Sequence, residues 1–160
     1  MLRILVFRPE LPTAQESARQ RVTVRYVIDG DTVELTDGTK VRLLGIDAPE
    51  AGFGGGTPEF YSEQSTTWLR QRLEGTRVSL RTDSWERDRY GRVLAWVFDE
   101  SGELINLEML REGQAKLLDD FGLPLDLEES LRTAESEARL LKRGLWAGAP
   151  RTPSTSNRRK

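Results

Sequence analysis

Five short segments of the chain have strand patterns: apolar and polar positions alternate in some of them, and residues 93–98 form a nearly continuous apolar run. In the first segment Val22, Val24 and Tyr26 fall on one face. The pair Asp37-Gly38 separates the second segment from the third and predicts a tight hairpin between them. The five predicted strands cover residues 21–27, 32–35, 40–46, 77–82 and 93–98.

Three other segments have the apolar spacing and end signals of helices. The first is predicted to begin with Thr57 as its N-cap, and a short second one over residues 107–112 with Asn106 as its cap. The third is predicted to start at Asp126, with Glu129 completing a capping box. Strands with inserted and appended helices predict an α+β domain on a closed or partly closed barrel. The five-stranded oligonucleotide-binding (OB) barrel with three helices is the natural candidate.

The chain of 160 residues is long enough for one domain with a buried core. We predict a leader over residues 1–20, a folded domain over 21–147 and a basic, disordered tail over 148–160. The longest apolar runs are too short to span a bilayer, so no membrane association is expected. The apolar start of the chain is too short for a complete export signal, which leaves the location of the protein open.

The chain contains neither cysteine nor histidine. Their absence excludes thiol nucleophiles, disulfides, thiolate zinc sites and the usual histidine base. Acid–base chemistry would then depend on Asp, Glu, Lys, Tyr or water. A catalytic metal would be an oxygen-ligated ion such as calcium, magnesium or manganese.

The net charge of −2 differs from that of most nucleic-acid-binding proteins, which are basic. The positive charge is nevertheless concentrated. Acidic residues accumulate between positions 103 and 137, whereas one short window contains Arg77, Arg81, Arg87, Arg89 and Arg92. The sequence therefore predicts a basic patch on an acidic protein, although a run of charges is often only a solvated strand face.

The turns around the predicted hairpin carry the residues of greatest chemical interest. Asp31 lies in the turn Asp29–Asp31, and Arg42, Asp47 and Glu50 lie in the segment Arg-Leu-Leu-Gly-Ile-Asp-Ala-Pro-Glu. Taken alone, an Asp-Gly turn is commonly structural. The hairpin, however, would bring Asp31 close to Asp47 at one end of a sheet, with Glu50 nearby. Carboxylates held beside an arginine suit a hard cation and a phosphate, and thus phosphodiester chemistry.

These motifs resemble those of the staphylococcal nuclease (thermonuclease) family. The segments Ile28–Val33, Arg42–Glu50 and Asp88–Arg92 follow one another in the family's order, and Gly113–Lys116 and a closing helix that ends at Trp146 extend the likeness. The resemblance implies a calcium-dependent nuclease on an OB barrel. It further implies a monomer that hydrolyses single-stranded or locally opened DNA and/or RNA with little sequence preference and leaves 3′-phosphates.

The resemblance also implies roles for individual residues around the cation. Asp31 and Asp47 would be its carboxylate ligands, and the backbone carbonyl of Ala48 would be a third ligand. Asp29 would support this set from a second layer. Glu50 would activate the attacking water.

In the same comparison, Arg42 and Arg92 match the two arginines that hold the scissile phosphate. Arg89 and Tyr90 match a basic–aromatic pair that contacts a neighbouring phosphate. The chain departs from the family where two tyrosines usually flank the nucleoside base, because these positions are Asp119 and Phe121. The acidic net charge is a second departure, and both predict weaker substrate binding.

Two other functions remain open at this point. One is a non-catalytic module that binds nucleic acid or protein on the same fold, against which the retained charged residues argue. The other is a calcium-binding structural domain, against which the two arginines argue, since cations near the ion would oppose its binding unless an anion joined them. No residue of the sequence clearly distinguishes RNA from DNA.

Overall fold

The computed structural model describes residues 19–83 and 87–148, apart from the side chain of Phe53. Residues 149–160 of the predicted tail and residues 1–18 of the predicted leader lie outside this part of the chain. Gln20, which the sequence places in the leader, is already the first residue of the first strand, β1 (Gln20–Asp29). The other predicted domain boundaries stay predictions.

Five strands close into a barrel in the order β1-β2-β3-β6-β5, which confirms the predicted fold class. The strands β3 and β6 are parallel, and the other neighbours in the barrel are antiparallel. The barrel strands are β1 (Gln20–Asp29), β2 (Thr32–Leu35), β3 (Lys40–Leu43), β5 (Arg77–Arg81) and β6 (Arg92–Phe98). A separate two-stranded sheet pairs β4 (Ile46–Asp47) with β7 (Lys116–Leu117).

The predicted hairpin at Asp37-Gly38 is present between β2 and β3. The Asp37 carboxylate accepts a hydrogen bond of 2.8 Å from the backbone N–H of Thr39. Gly38 has a φ of 84°, a left-handed conformation that glycine adopts without steric cost. In the register of this hairpin Thr32 lies opposite Arg42, so the start of β2 meets the end of β3.

The third predicted strand, residues 40–46, is divided in the structure. Its first part is β3 and its last residue opens β4, which leaves the barrel to pair with β7. The chain bends at Gly45, whose φ is 69° and where an added Cβ would lie 2.5 Å from the indole of Trp96. The bend directs Asp47 away from the barrel wall. Period-2 alternation does not show this bend, because the close approach of Gly45 and Trp96 joins residues that are far apart in the chain.

Three helices follow the predicted order: α1 (Ser62–Leu73), α2 (Ile105–Arg111) and α3 (Glu128–Leu140). Two short 3₁₀ turns cover Phe53–Gly55 and Gly144–Ala147. None of these helices has an N-cap side chain that accepts a backbone hydrogen bond. No helix in the described ranges combines the length and apolarity that a membrane crossing requires.

The predicted helix starts were wrong at all three places. Thr57 is not a cap, because α1 begins only after Tyr61, which has a φ of 74°. Asn106 lies inside α2, where its side chain accepts from the N–H of Val97 at 2.9 Å. Asp126 caps nothing and binds the guanidinium of Arg81 at 2.6 and 3.0 Å, two residues before α3 starts. In the second and third cases a side chain suited to capping is taken by a tertiary partner.

The core fills the barrel and continues under the helices. Side chains that are fully buried include Val24, Val33, Val41, Leu43, Leu69, Leu73, Ile105, Met109, Leu110 and Leu131. Burial of one such side chain contributes roughly 1.5–3 kcal/mol. The barrel wall that carries β2 and β3 is therefore a firm support for the polar groups at its edge.

Candidate active site

Arg42 joins the two acidic turns that the sequence singled out. Its Nε lies 3.0 Å from Oδ1 of Asp31, and its Nη2 lies 3.6 Å from Oδ1 of Asp47. Its Nη1 donates to the backbone carbonyls of Leu43 and, at 2.8 Å, of Ile46. The guanidinium thus closes the bend between β3 and β4 and gathers two carboxylates at one point.

Asp31 is buried, with a relative exposure of 7%. Its carboxylate accepts hydrogen bonds of 3.0 Å from the hydroxyl of Thr32 and from the N–H of Ala48. Burial raises its pKa to about 7, the nearby carboxylate of Asp29 adds to that rise, and the Arg42 guanidinium and these hydrogen bonds oppose it. Because burial disfavours the charged form of this carboxylate, a further cation beside it would stabilise the ionised form.

The donor set at this point fits a hard cation. The side chain of Asp47 is 53% exposed, so an ion from solvent can reach its carboxylate. Asp31 supplies a second carboxylate that is buried. Calcium prefers carboxylate and carbonyl oxygens, and Ala48, whose backbone carbonyl is the predicted third ligand, directly follows Asp47 in the chain. Within residues 19–83 and 87–148 no three Asp or Glu side chains form a metal-binding group, so two carboxylates are the most the protein offers here.

Glu50 begins a loop whose two ends, Glu50 and Glu59, are hydrogen-bonded to each other. The N–H of Glu50 donates to Oε2 of Glu59 at 3.0 Å, and the N–H of Glu59 donates to the carbonyl of Glu50 at 2.9 Å. Glu50 itself is exposed. Its backbone is therefore fixed while its carboxylate stays open to solvent and ligands.

Glu59 is a site residue that the sequence interpretation missed. The sequence predicts it in the first turn of the first helix, whereas in the structure it joins the two ends of the Glu50–Glu59 loop. The glycine-rich run between the two glutamates was the available signal, because compact loops with neighbouring ends are often closed in this way.

Arg92 is held by Asp88. Its Nε donates to Oδ2 of Asp88 at 3.0 Å, and its Nη2 lies 2.9 Å from the same oxygen. The other carboxylate oxygen of Asp88 accepts from the N–H groups of Tyr90 and Arg92, both at 2.9 Å. Burial works against ionisation of Asp88, but these hydrogen bonds and the Arg92 charge keep its pKa below the usual value.

Arg89 and Tyr90 form the exposed part of the same turn. The Arg89 guanidinium lies 4.7 Å and the Arg92 guanidinium 5.0 Å from the centre of the Tyr90 ring. Tyr90 is 63% exposed. The turn therefore presents an aromatic face flanked by cations.

The parallel pairing of β3 and β6 brings Arg42 and Arg92 to one face of the barrel. Arg42 lies opposite Leu94, and Arg92, two residues earlier on the same strand, lies opposite Lys40. The alternate residues of both strands, such as Val41 and Val93, are buried. The two arginines therefore share the outer face, as diagonal neighbours.

The predicted basic patch is largely neutralised. Arg77, Arg81 and Arg92 are paired with Glu100, Asp126 and Asp88, respectively. Within residues 19–83 and 87–148, Arg87 and Arg89 make no ion pair within 4 Å. The remaining positive charge is thus concentrated at the turn that contains Tyr90.

The two positions predicted to flank a base lie on a separate segment, after β7. Phe121 is 92% exposed. The Asp119 carboxylate is 2.9 Å from the guanidinium of Arg132, which also contacts Glu128. The structure thus leaves the Phe121 ring open and ties Asp119 to α3.

Residues 40–148 match the family described as "Staphylococcal nuclease homologue". An "Uncharacterized endonuclease" of Escherichia coli is 35% identical over 130 residues, which cover 79% of this chain and 77% of that protein. A "Thermonuclease" of Staphylococcus hyicus is 32% identical over 132 residues, covering 80% of this chain and 76% of that protein. The motifs, the barrel and these similarities agree: the chain belongs to the family of staphylococcal nuclease homologues.

Proposed function

We propose that this protein is a calcium-dependent endonuclease that hydrolyses phosphodiester bonds of DNA, RNA or both with little sequence preference. The convergence of Asp31 and Asp47 on Arg42, at 3.0 and 3.6 Å, is the observation that supports this most directly. Such a mixed cluster suits a divalent cation and a phosphate together, because each compensates charges that would otherwise repel the other. The similarity to an endonuclease and a thermonuclease supports the same function.

The residues suited to hold the cation are Asp31 and Asp47, with the carbonyl of Ala48. A calcium ion bound there would polarise the phosphate oxygens as a Lewis acid. Asp29 accepts a hydrogen bond of 3.1 Å from the N–H of Asp31 and so fixes the turn that carries the buried ligand. The protein thereby prepares the acidic part of the site before substrate arrives.

Arg42 and Arg92 are assigned to the scissile phosphate. A guanidinium donates charge-assisted hydrogen bonds to phosphate oxygens and does not release its proton at neutral pH. Both arginines therefore stabilise the charge that grows on the phosphate in the transition state. Loss of one comparable donor lowers the rate of other enzymes by roughly 10²–10³. Asp88 gives Arg92 a defined orientation for this contact.

Glu50 is assigned as the group that accepts a proton from the attacking water. The chain has no histidine, and the Glu50 carboxylate is exposed on a backbone fixed by Glu59. The water oxygen forms a new bond to phosphorus as the bond from phosphorus to the 5′ oxygen breaks. Cleavage at this bond leaves a 3′-phosphate, and the departing oxygen takes a proton from solvent.

Three residues are assigned to substrate contacts outside the scissile phosphate. Arg89 and Tyr90 form the exposed turn that would contact a neighbouring phosphate. The open ring of Phe121 would stack on a base. Because unpaired bases are needed for stacking, the preferred substrate is single-stranded or locally opened. All of these groups belong to one chain, so the protein is proposed to act as a monomer.

A plasmid-nicking assay with calcium or with EDTA tests the proposal. We expect nicking that requires calcium and that falls by roughly 10²-fold or more in Arg42→Ala and in Arg92→Ala. Arg25→Ala is the matched control, since Arg25 is an exposed arginine on β1. The 3′ ends of a cleaved, labelled oligonucleotide should be sensitive to phosphatase.

Binding of nucleic acid without cleavage would instead support the alternative function, a non-catalytic binding module on the same fold. Calcium binding without affinity for any nucleic acid would support a structural calcium domain. Either result from correctly folded parent protein would refute the nuclease assignment.

A further inference from the structure

A cavity of about 480 Å³ opens beside Asp47. Asp47 and Ala48 at its edge are proposed cation ligands, whereas its aromatic and apolar wall and Lys116 have no assigned role. Its wall is formed by Phe60, Lys116, Leu145, Trp146, Glu59 and the segment Asp47–Pro49. Cavities of roughly 300–1,000 Å³ are of the size that binds small organic ligands.

We propose that this cavity is a nucleotide subsite. It would bind the nucleotide next to the scissile phosphate, on the side opposite to the turn of Arg89 and Tyr90. This inference rests on the proposed nuclease function and adds to it a second place where the substrate strand is held.

The positions of the strands support this order along the substrate. The Tyr90 turn leads into β6, whose first residue, Arg92, lies opposite Lys40 at the beginning of β3. The cavity lies beyond the end of β3, where Asp47 belongs to its wall. Arg42, near the end of β3, stands between the two. A substrate strand that runs along β3 would therefore pass from the turn, over the phosphate site, into the cavity.

The chemistry of the wall suits a nucleotide. The ring of Phe60 is 44% exposed, and an aromatic ring can stack on any of the bases. Leu145 and Trp146 add an apolar wall. Lys116 lies opposite Asp47 in the β4–β7 pair and is exposed. It makes no ion pair within 4 Å in the described ranges, so its ammonium group remains available for a phosphate.

The two carboxylates of the wall do not prevent this. The Asp47 carboxylate lies 3.6 Å from the guanidinium of Arg42, which offsets its charge with or without the cation. Oε2 of Glu59 accepts the hydrogen bond from the N–H of Glu50. Lys116 is thus the charged group of the cavity that has no assigned partner and would meet the phosphate of the bound nucleotide.

Binding of a fluorescent oligothymidylate in EDTA, measured by anisotropy, tests the subsite without cleavage. We expect Phe60→Ala to weaken binding by at least about fivefold, the lower end of the range for loss of one base–aromatic stack. Phe60→Leu should be weakened similarly, since it keeps apolar volume without a ring, and Phe60→Tyr should bind like the parent. Lys116→Gln should weaken binding and reduce its dependence on salt concentration.

Matched controls are Tyr26→Ala, an aromatic residue of β1 with 40% exposure, and Lys142→Gln, an exposed lysine after α3. Both should bind like the parent. In calcium, Phe60→Ala should raise KM for oligothymidylate and leave kcat unchanged. Its rate on bis(p-nitrophenyl) phosphate, a diester without a nucleotide, should also be unchanged.

Equal affinities for the parent, Phe60→Ala and Lys116→Gln would overturn the subsite. If Phe60→Tyr lost as much affinity as Phe60→Ala, the subsite would also be overturned, since an aromatic ring at position 60 would then not be what binds the base. If the parent cleaves neither substrate in calcium, the proposed nuclease function fails. The binding comparison in EDTA still decides the subsite in that case.

Discussion

The Asp88 carboxylate accepts hydrogen bonds from both the guanidinium and the backbone N–H of Arg92. Oδ2 of Asp88 accepts from Nε at 3.0 Å, while Oδ1 accepts from the backbone N–H at 2.9 Å. One carboxylate therefore shapes the turn and sets the direction of the arginine side chain. Asp88 has no assigned contact with substrate, so its effect on the reaction would pass through Arg92.

This relationship predicts that Asp88→Asn lowers kcat by on the order of 10–100-fold, because misplacement of a catalytic group by about 1 Å can cost 10²-fold. The amide keeps the size of the side chain but loses the charge that orients Arg92. Steady-state kinetics with an oligonucleotide check this, with Asp37→Asn, in another exposed turn, as the control. The double variant Asp88→Asn/Arg92→Ala should be no slower than Arg92→Ala, and additive losses would show that Asp88 acts independently.

The raised pKa of Asp31 predicts that the free energy of unfolding depends on pH. Its pKa is about 7 in the folded protein and 3.8 when exposed, so between these values the folded state binds more protons than the unfolded state. The contribution of Asp31 to the free energy of unfolding therefore falls as pH rises from about 4 to above 7. Asp31→Asn should be more stable than the parent at pH 8, by at most a few kcal/mol, and the difference should shrink toward pH 4.

Urea denaturation of both proteins at pH 4.5, 6 and 8 without divalent ions measures this difference. The comparison isolates Asp31, since all other titrating groups are common to both. Millimolar calcium should stabilise the parent more than Asp31→Asn. A difference that does not change with pH would show that burial does not raise the pKa of Asp31.

The free protein should bind calcium weakly, with a Kd on the order of 10⁻⁴–10⁻³ M, as in other weak calcium modules. Only two carboxylates and one carbonyl are assigned as ligands, so water must provide the others. A nucleoside 3′,5′-bisphosphate should tighten calcium binding, because its phosphate links the ion to Arg42 and Arg92. Calorimetry with and without the bisphosphate checks this, and an unchanged affinity would contradict it.

Glu50→Gln should keep the fold and the calcium affinity but lose activity by roughly 10²–10⁴-fold, the usual contribution of a general base. The hydrogen bonds between Glu50 and Glu59 use the backbone of Glu50, so the substitution leaves them in place. Glu63→Gln, an exposed glutamate of α1, is the control. Activity of Glu50→Gln within a few-fold of the parent would remove Glu50 from the water-activating role.

Asp119→Tyr should tighten binding of a single-stranded oligonucleotide or a bisphosphate inhibitor by about tenfold. A tyrosine adds a stacking surface, worth about 1–3 kcal/mol per base, and removes a negative charge. The substitution would also release Arg132 from its ion pair with Asp119. The freed guanidinium would attract the nucleic acid and tighten binding further. Asp120→Tyr is the matched control. Equal inhibitor affinities for the parent and Asp119→Tyr would place residue 119 outside the substrate path.

The sequence by itself determined the barrel strands, apart from the end of β3, and the hairpin between β2 and β3. These features depend on interactions between near neighbours: alternation places Val22 and Val24 on one face, and a glycine at position 38 permits a left-handed turn. The acidic and basic motifs were visible for the same reason, since Arg42, Asp47 and Glu50 lie within one short segment.

The tertiary structure decided which of these residues meet. Arg92 comes beside Arg42 only because β6 pairs in parallel with β3, a contact between segments far apart in the chain. At the bend, Gly45 lies so close to Trp96 that a Cβ would not fit. Asn106 accepts a hydrogen bond from Val97 of β6 and does not cap α2. Such choices depend on long-range packing, where one buried contact outweighs a local preference worth about 1 kcal/mol. The burial that raises the pKa of Asp31 also results from packing between segments that are far apart in the chain.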